Sequence, residues 1–450
     1  LANKDIPGTL MNTITMLGWP HTLLICLLAL CSTALADGQR ISDAGRRAVS
    51  PEIAVGVDGA INVIWLDKGM TADRPPPKPH KHGEHSHRSW TDLYFTRSED
   101  GGKTWRTPVM INEQPGEIWG FSVSKPRIEV GPGGTLHVFY PANDRSAAIG
   151  MDIVSARYRR STDQCKSFSA PITINSPSGK DRSDVLGEGL AMANSFGTMG
   201  VAPDGTIITA WQNVLDMQNS GDGADGIVAV STDDGVSFSA ERIVLPGNDV
   251  CPCCQLTLAF NDDTIYMGFR KIFDKWRDSV IARSTDGGNS FSVGGRLDLA
   301  PWELQGCPLK PTELGSDGER LYASTYTGGE DPAGLYFTVS GDGGKTFAGK
   351  QQVHPAAAYA DAPALTVDPQ GIVRLVWHAK LGGPHRLFTA LSVDQGASLS
   401  TPVEIATPEG KSTYPATAVA TDGTVYVAWQ QANEEVFITT LLPPASMADQ

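Results

Sequence analysis

Ser98-Glu99-Asp100-Gly101-Gly102-Lys103-Thr104-Trp105 is the stretch on which the architecture turns. Its order, Ser-x-Asp-x-x-x-x-aromatic, returns at Ser161 to Phe168, Ser231 to Phe238, Ser284 to Phe291 and Ser340 to Phe347, and in a variant form from Ser392 to Leu399. The second copy has Cys165 where Gly is expected, and the sixth ends in Leu399 instead of an aromatic ring. Successive copies start 52 to 70 residues apart, the length of a four-stranded unit with variable loops. The pattern has a local cause. An Asp carboxylate accepts N–H groups of its own turn, Gly supplies a positive φ, hydroxyls cap what remains, and the ring tucks beneath the hairpin. Each copy is a folding device.

A constant grammar precedes each copy. A first strand, Pro51 to Val55, leads through Asp58-Gly59 into Ile61 to Trp65, and a third strand, Asp92 to Thr96, enters the motif. The same first and second strands return near 126–140, 198–211, 255–269, 312–326, 363–377 and 415–429, which makes seven pairs against six motifs. The last unit, with Val425 to Trp429 and Val436 to Thr439, ends before a fourth strand; Gln39-Arg40-Ile41-Ser42 is expected to complete it. Such closure removes the exposed edges that invite aggregation. The expectation is an all-β fold: a single β-propeller of four-stranded antiparallel blades over 37–442, with a tail at 443–450. The repeat count gives seven blades, with six as the alternative.

Bulk composition agrees. Of 450 residues, 40% are hydrophobic and only 19% charged, with 48 Gly and 30 Pro, the profile of short strands joined by tight turns. A formal net charge of −14 argues against a nucleic-acid partner, since phosphate binding relies on a basic surface. Leu23 to Leu30 is apolar but short for a bilayer span, and Ala34-Leu35-Ala36 suits signal peptidase. Residues 1–36 therefore read as a cleaved signal peptide, and the mature domain as periplasmic or secreted. The rival is a lipoprotein signal with Cys31 lipidated, although Leu30 is a poor fit before that cysteine. No other segment is long and apolar enough to cross a membrane. Cleavage would leave Cys165, Cys251, Cys253, Cys254 and Cys307, and disulfides are the default for exported thiols.

The six motifs resemble the Asp box, or bacterial neuraminidase repeat, of the sialidase-like propellers. The resemblance implies that these turns lie on the face opposite the family's active site. It also implies three carboxylate-binding arginines, the first in a Phe/Tyr-Arg-Ile-Pro stretch, with a Tyr–Glu nucleophile pair and an acid Asp. Here that stretch reads Val49-Ser50-Pro51-Glu52-Ile53, with a carboxylate near the place of the first cation. Spacing assigns no triad to Arg127, Arg270 and Arg374, and Tyr326 with Glu303 or Glu330 could mimic the nucleophile pair but reads first as ordinary rim residues. The chain is more similar to exported sialidase-like proteins carrying Cys-Pro-Cys-Cys and then Gly-Cys-Pro, a likeness running from Ser50 to Gln431.

Propeller topology places inter-blade loops and second-to-third-strand loops on one face. Trp119, Arg270, Trp302, Glu303, Tyr326 and His378 are thereby candidates for a ligand-binding rim, and Asp67, Arg270, Glu303 and Tyr326 for catalysis. Arg46, Arg47, Asn213 and Tyr359 belong to the same mouth. Cys251-Pro252-Cys253-Cys254 and, one unit later, Cys307 each stand just before a first strand, so neighbouring blades should bring them together. They read either as a disulfide staple joining Cys307 to one of the trio, or as a thiolate site for copper or zinc. His80, His82, His85 and His87 are four imidazoles in eight residues after Pro75-Pro76-Pro77, read as an exposed loop or as further metal ligands. Three functions stay open: a binding or scaffolding module, a sialidase-type glycan hydrolase, and a copper- or zinc-handling protein. The expected partners are a glycan, a small ligand or another exported protein, and the expected state is a monomer.

Overall fold

The computed structural model describes residues 38–68, 91–145, 152–175, 193–214, 223–432 and 434–444. The proposed signal peptide and the histidine tract lie outside the described residues.

The domain is entered through β1 (Gln39–Arg40). Units of four consecutive antiparallel strands follow. The first is β2 (Ala48–Val55), β3 (Ile61–Asp67), β4 (Asp92–Ser98) and β5 (Val109–Met110). The second is β6 (Arg127–Val130), β7 (Leu136–Arg145), β8 (Asp152–Ser161) and β9 (Ile172–Thr173). The third is β10 (Ala193–Val201), β11 (Ile207–Val214), β12 (Ala224–Ser231) and β13 (Arg242–Val250). The fourth is β14 (Thr257–Asn261), β15 (Thr264–Phe273), β16 (Trp276–Ser284) and β17 (Ser292–Arg296). The fifth is β18 (Thr312–Ser316), β19 (Leu321–Thr327), β20 (Gly334–Ser340) and β21 (Ala348–Gln352). The sixth is β22 (Ala358–Val367), β23 (Val373–Lys380), β24 (Arg386–Ser392) and β25 (Val403–Glu404).

The seventh has only β26 (Ser412–Val419), β27 (Val425–Gln431) and β28 (Glu435–Leu441) from its own stretch. Its outer strand is β1, with Gln39 opposite Ile438 and Arg40 opposite Phe437. Ile41 is buried beside this pairing, and its N–H bonds Val436 O at 2.9 Å. Each first strand packs on the first strand of the next unit, and β26 on β2, so the ring of seven closes. Units two to four also run on as one sheet through single bridges, Val154 with Ala193 and Val250 with Lys271.

Blade-on-blade packing covers both faces of the middle strands. The whole of β3, Ile-Asn-Val-Ile-Trp-Leu-Asp, is buried for that reason. Trp65, Trp211, Trp377 and Trp429, each on the second strand of its unit, are the largest fully buried rings. Truncating one such ring to Ala costs about 3–5 kcal/mol.

All six Asp boxes adopt one geometry. In the first, Asp100 Oδ1 accepts Ser98 Oγ and Thr104 N–H, both at 2.9 Å, and Asp100 Oδ2 accepts Thr104 Oγ1 at 2.6 Å. Cys165 holds the glycine place of the second box at φ 64° and donates its N–H to Ser161 Oγ at 3.0 Å. Hydrogen bonds from the Ser or Thr four residues on hold Asp100, Asp233, Asp286 and Asp394 down to about 2. Asp163 is lowered by the same contacts, and Asp342 chiefly by Thr346 N–H. Because each folded-state value lies below the unfolded value of about 4, the boxes contribute stability above that pH and lose it as pH falls towards about 2. Acid unfolding followed by tryptophan fluorescence should fall in this window. Asp→Asn at Asp233, Asp286 and Asp394 together should lower stability at neutral pH and flatten its acid dependence; an unchanged acid profile would refute this account.

The first strands share an irregularity. Register shifts occur between Val49 and Glu52, Ser195 and Thr198, Asp361 and Ala364, and Thr413 and Ala416. Within them Ser50, Phe196, Ala362 and Tyr414 take φ of 55°, 50°, 48° and 52°. Left-handed backbone at residues other than Gly costs free energy, and here it recurs at the same end of four blades, beside the mouth loops.

Candidate functional site

The seven first strands surround an axial channel of about 160 Å³. Glu52 on β2, Arg127 and Glu129 on β6, Glu313 on β18 and the preceding Lys125 line it. Glu52 Oε1 takes both cations, Lys125 Nζ at 3.1 Å and Arg127 Nη1 at 3.4 Å. Burial pushes Glu129 up to about 7 and Glu313 upward as well. Carboxylates therefore outnumber cations here, and the cations are already engaged, which is the reverse of an anion clamp.

Off the axis, on the same face, lies the cysteine cluster. Cys251, Cys253 and Cys254 follow β13 and are buried. Cys251 N–H bonds Arg270 O at 2.8 Å, and Gln212 Nε2 donates to Cys254 O at 2.6 Å, so β15 and β11 fix the turn from two sides. Sγ of Cys253 lies 3.5 Å from that of Cys251 and 3.9 Å from that of Cys254. Phe196, Trp119, Phe121 and Ile272 pack around the sulfurs, and the three aromatic rings meet edge to face at 5.5–5.8 Å. Cys307 is exposed and follows in the next inter-blade loop, whose Lys310 N–H donates to Cys254 Sγ at 3.4 Å.

The expected disulfide staple is not formed: all five described cysteines are free thiols. Separations of 3.5 Å and more exceed the sulfur–sulfur bond of about 2.05 Å. Each thiol has a different setting. Burial opposes ionisation of Cys254, yet hydrogen bonds from Cys251 and Cys253, the charge of Arg270 and the Lys310 N–H hold it well below the usual thiol value. Contacts with Cys251, Cys254 and Cys307 push Cys253 up. Cys307 is lowered to about 7, by Cys253 first and with help from Arg277.

The rim candidates fall into three groups. Trp119 packs on the cysteines, Arg270, Trp302 and Tyr326 gather one blade further round, and His378 lies on β23 of the sixth unit against Tyr414 and His385. Lys310 joins the groups: its N–H donates to Cys254 Sγ at 3.4 Å, its Nζ pairs with Asp361, and the same Nζ lies 5.0 Å from the Tyr326 ring. Asp361 stands opposite His378 in the β22–β23 ladder. His378 is buried and accepts Tyr414 N–H on Nδ1 at 3.1 Å; burial, then His385 and nearby lysines, hold its pKa well down. Trp302 and Tyr326 pack 5.7 Å apart.

The catalytic candidates do not converge. Asp67 is buried in a two-point pair with Arg46, at 2.6 and 3.1 Å. Glu303 is exposed and pairs with Lys275 at 3.0 Å. Arg270 is buried and spends its donors on the carbonyls of Lys310, Arg277 and Tyr326 and on Thr325 Oγ1. Glu330 pairs with Lys350 at 2.8 Å. Arg374, the third arginine weighed for a triad, donates to Leu442 O at 3.0 Å. Sequence reasoning missed Lys310, Asp361, Arg277 and His385. Gly-Cys-Pro-Leu-Lys, which places Lys310 three residues after Cys307, was the available signal for the first of them.

A closed ring of four-stranded blades stitched by Asp boxes defines a sialidase-like β-propeller. The BNR repeat-like domain family matches residues 81–305, half of the chain, and the chain belongs to that family. Among solved structures it is similar to a Hadza microbial sialidase, with 14% identity over 90% of this chain and 95% of that one, at a TM-score of 0.50. An ulvan lyase of a polysaccharide lyase family, bound to its saccharide, gives 12%, 91%, 98% and 0.53. The α-L-arabinofuranosidase of Fusarium graminearum gives 11%, 91%, 98% and 0.51. At such identities the likeness is one of fold. No curated protein matches the sequence.

Proposed function

We propose that the chain is an exported ligand-binding propeller whose mouth holds a soft, thiophilic cation on Cys251, Cys253 and Cys254, Cu(I) in preference to Zn(II). One observation carries the reading: three buried sulfurs whose ligand atoms all lie within 4.8 Å of one another. Thiolates bound at about 2.3 Å to one tetrahedral centre stand about 3.8 Å apart, and the sulfurs here are 3.5 and 3.9 Å apart. Three thiolates in an apolar shell suit Cu(I), whereas structural zinc takes four ligands. Against the cost of burial, Cys254 is the thiol of the trio whose pKa is lowered, by hydrogen bonds from its neighbours and the charge of Arg270, and lowering favours the ligating thiolate. Residues 80–87 offer imidazoles to the same class of metal.

The test is a paired one on tag-free mature protein isolated from a periplasm: bound metal and accessible thiols. Near-stoichiometric copper, with Cys251, Cys253 and Cys254 alkylated only after its removal, is the expected result. Disulfides among them without metal would sink the reading and leave a cysteine-stapled scaffold.

A glycan-active reading draws on the named activities of the similar structures, a sialidase, an ulvan lyase and an arabinofuranosidase. The channel speaks against its sialidase form, because Glu52 engages the two cations that a sugar carboxylate would need.

A further inference from the structure

Cys251, Cys253 and Cys254 are 0%, 5% and 1% exposed, so a cation has to reach them through some group at the surface. Cys307 is the exposed one among the described cysteines. It stands in a loop bent by Gly306 at φ 130° and Leu309 at φ 55°. From that loop Lys310, three residues after Cys307, donates its N–H to Cys254 Sγ at 3.4 Å, and Cys307 itself acts electrostatically on Cys253. One short segment thus reaches solvent at Cys307 and a sulfur of the trio at Cys254.

A second observation points to a ligand at the same place. Arg277, 8% exposed, has Nε and Nη1 buried without a hydrogen-bond partner among the described residues. Its charge acts on Cys307. Buried polar groups are normally satisfied, so a guanidinium with two open donors whose charge is felt at Cys307 is suited to an anionic sulfur, free or carrying a cation.

Resting on the reading of the trio as a soft-cation site, the geometry points to Cys307 as its entry ligand. Cys307 takes the cation at the surface and passes it to Cys253 by associative exchange. A sulfur–metal bond forms at Cys253 as the one at Cys307 breaks; the metal keeps its oxidation state, and the thiol protons leave to solvent. Cys307 is then free for the next exchange and is no resident ligand.

Stopped-flow loading of the reduced, metal-free chain with Cu(I) from a chromophoric chelator tests this in the wild type and in Cys307→Ser. The variant should reach the same stoichiometry and affinity but load slower by about tenfold or more, since exchange rates follow access to the attacking sulfur. In the metal-free wild type, mass-mapped alkylation should modify Cys307 ahead of the trio, a readout independent of how the variant folds. Equal loading rates, or alkylation of the trio first, would overturn the entry role. Lost stoichiometry in the variant would also overturn it, by making Cys307 a resident ligand. A wild type that binds no Cu(I) at all would remove the underlying reading, an outcome distinct from these.

Discussion

Cys254→Ser is expected to weaken Cu(I) binding by about two to three orders of magnitude and to leave the propeller folded. The backbone there is held by Gln212 Nε2 on Cys254 O at 2.6 Å, a bond that does not involve the sulfur. A serine hydroxyl fits the smaller space and can accept the Lys310 N–H that Cys254 Sγ now accepts. What it cannot supply is a soft donor. Structural thiolate sites bind zinc with about 10–16 kcal/mol spread over four ligands, so one sulfur is worth about 3–4 kcal/mol. That corresponds to affinity weaker by about 10²- to 10³-fold, measurable by competition against a chelator of known strength. Cys165→Ser is the control. Cys165 lies in the second Asp box and contacts Asn62, so its loss should leave binding untouched. Wild-type affinity in Cys254→Ser would place the metal elsewhere or nowhere.

The fold was legible because its determinants are local. Each Asp box is closed by groups within four residues, so Ser231, Asp233 and Ser237 announce the turn whatever packs on it. Even Cys165, a departure from the pattern, keeps the glycine geometry because the flanking Ser161 and Asp163 bonds outweigh one left-handed residue. The closing strand at Gln39 was legible for a different reason: a seventh unit that lacks its fourth strand must find one. The bulges of the first strands were not. Ser50, Phe196, Ala362 and Tyr414 share no residue type that favours a positive φ, so their conformation is imposed by the ring and not by propensity.

The site was half legible. Counting blades placed the Cys307 loop in the unit next to the trio, because one repeat of chain is one step around the ring, and that loop meets Cys254 through the Lys310 N–H. Pairing of charges was opaque, since it depends on which side chains the seam between blades buries. Arg270, Tyr326, Asp67 and Glu303 looked alike as polar residues after second strands or between blades. Arg270 is sealed in the seam, Asp67 is locked to Arg46, Glu303 is exposed, and Tyr326 borders the Lys310–Asp361 pair. Chain pattern told which end of the propeller they occupy, and burial decided what each can do.

Arg270 therefore carries the second large effect. Its guanidinium spans the seam between the fourth and fifth blades, with Nη1 on Arg277 O at 2.6 Å, Nη2 on Tyr326 O at 2.9 Å and Thr325 Oγ1 at 3.2 Å, and Nε on Lys310 O at 3.3 Å. Arg270→Met keeps much of the volume but strips donors from three carbonyls that water does not easily reach. The expected loss is about 3–5 kcal/mol of stability, the range for removing one partner of a buried charged contact. Arg270→Lys should recover little, because one ammonium cannot reproduce the planar fork across the seam. The site suffers as well. Lys310 moves when its carbonyl is released, and with it the N–H on Cys254; the positive charge that favours the Cys254 thiolate is also gone. Denaturant unfolding of the metal-free protein and Cu(I) titration at neutral pH read the two consequences separately. A stability change within about 0.5 kcal/mol, the range of ordinary surface substitutions, would show that the seam does not depend on this side chain. Lost stability with unchanged Cu(I) affinity would instead confine Arg270 to the scaffold and uncouple the seam from the cysteines.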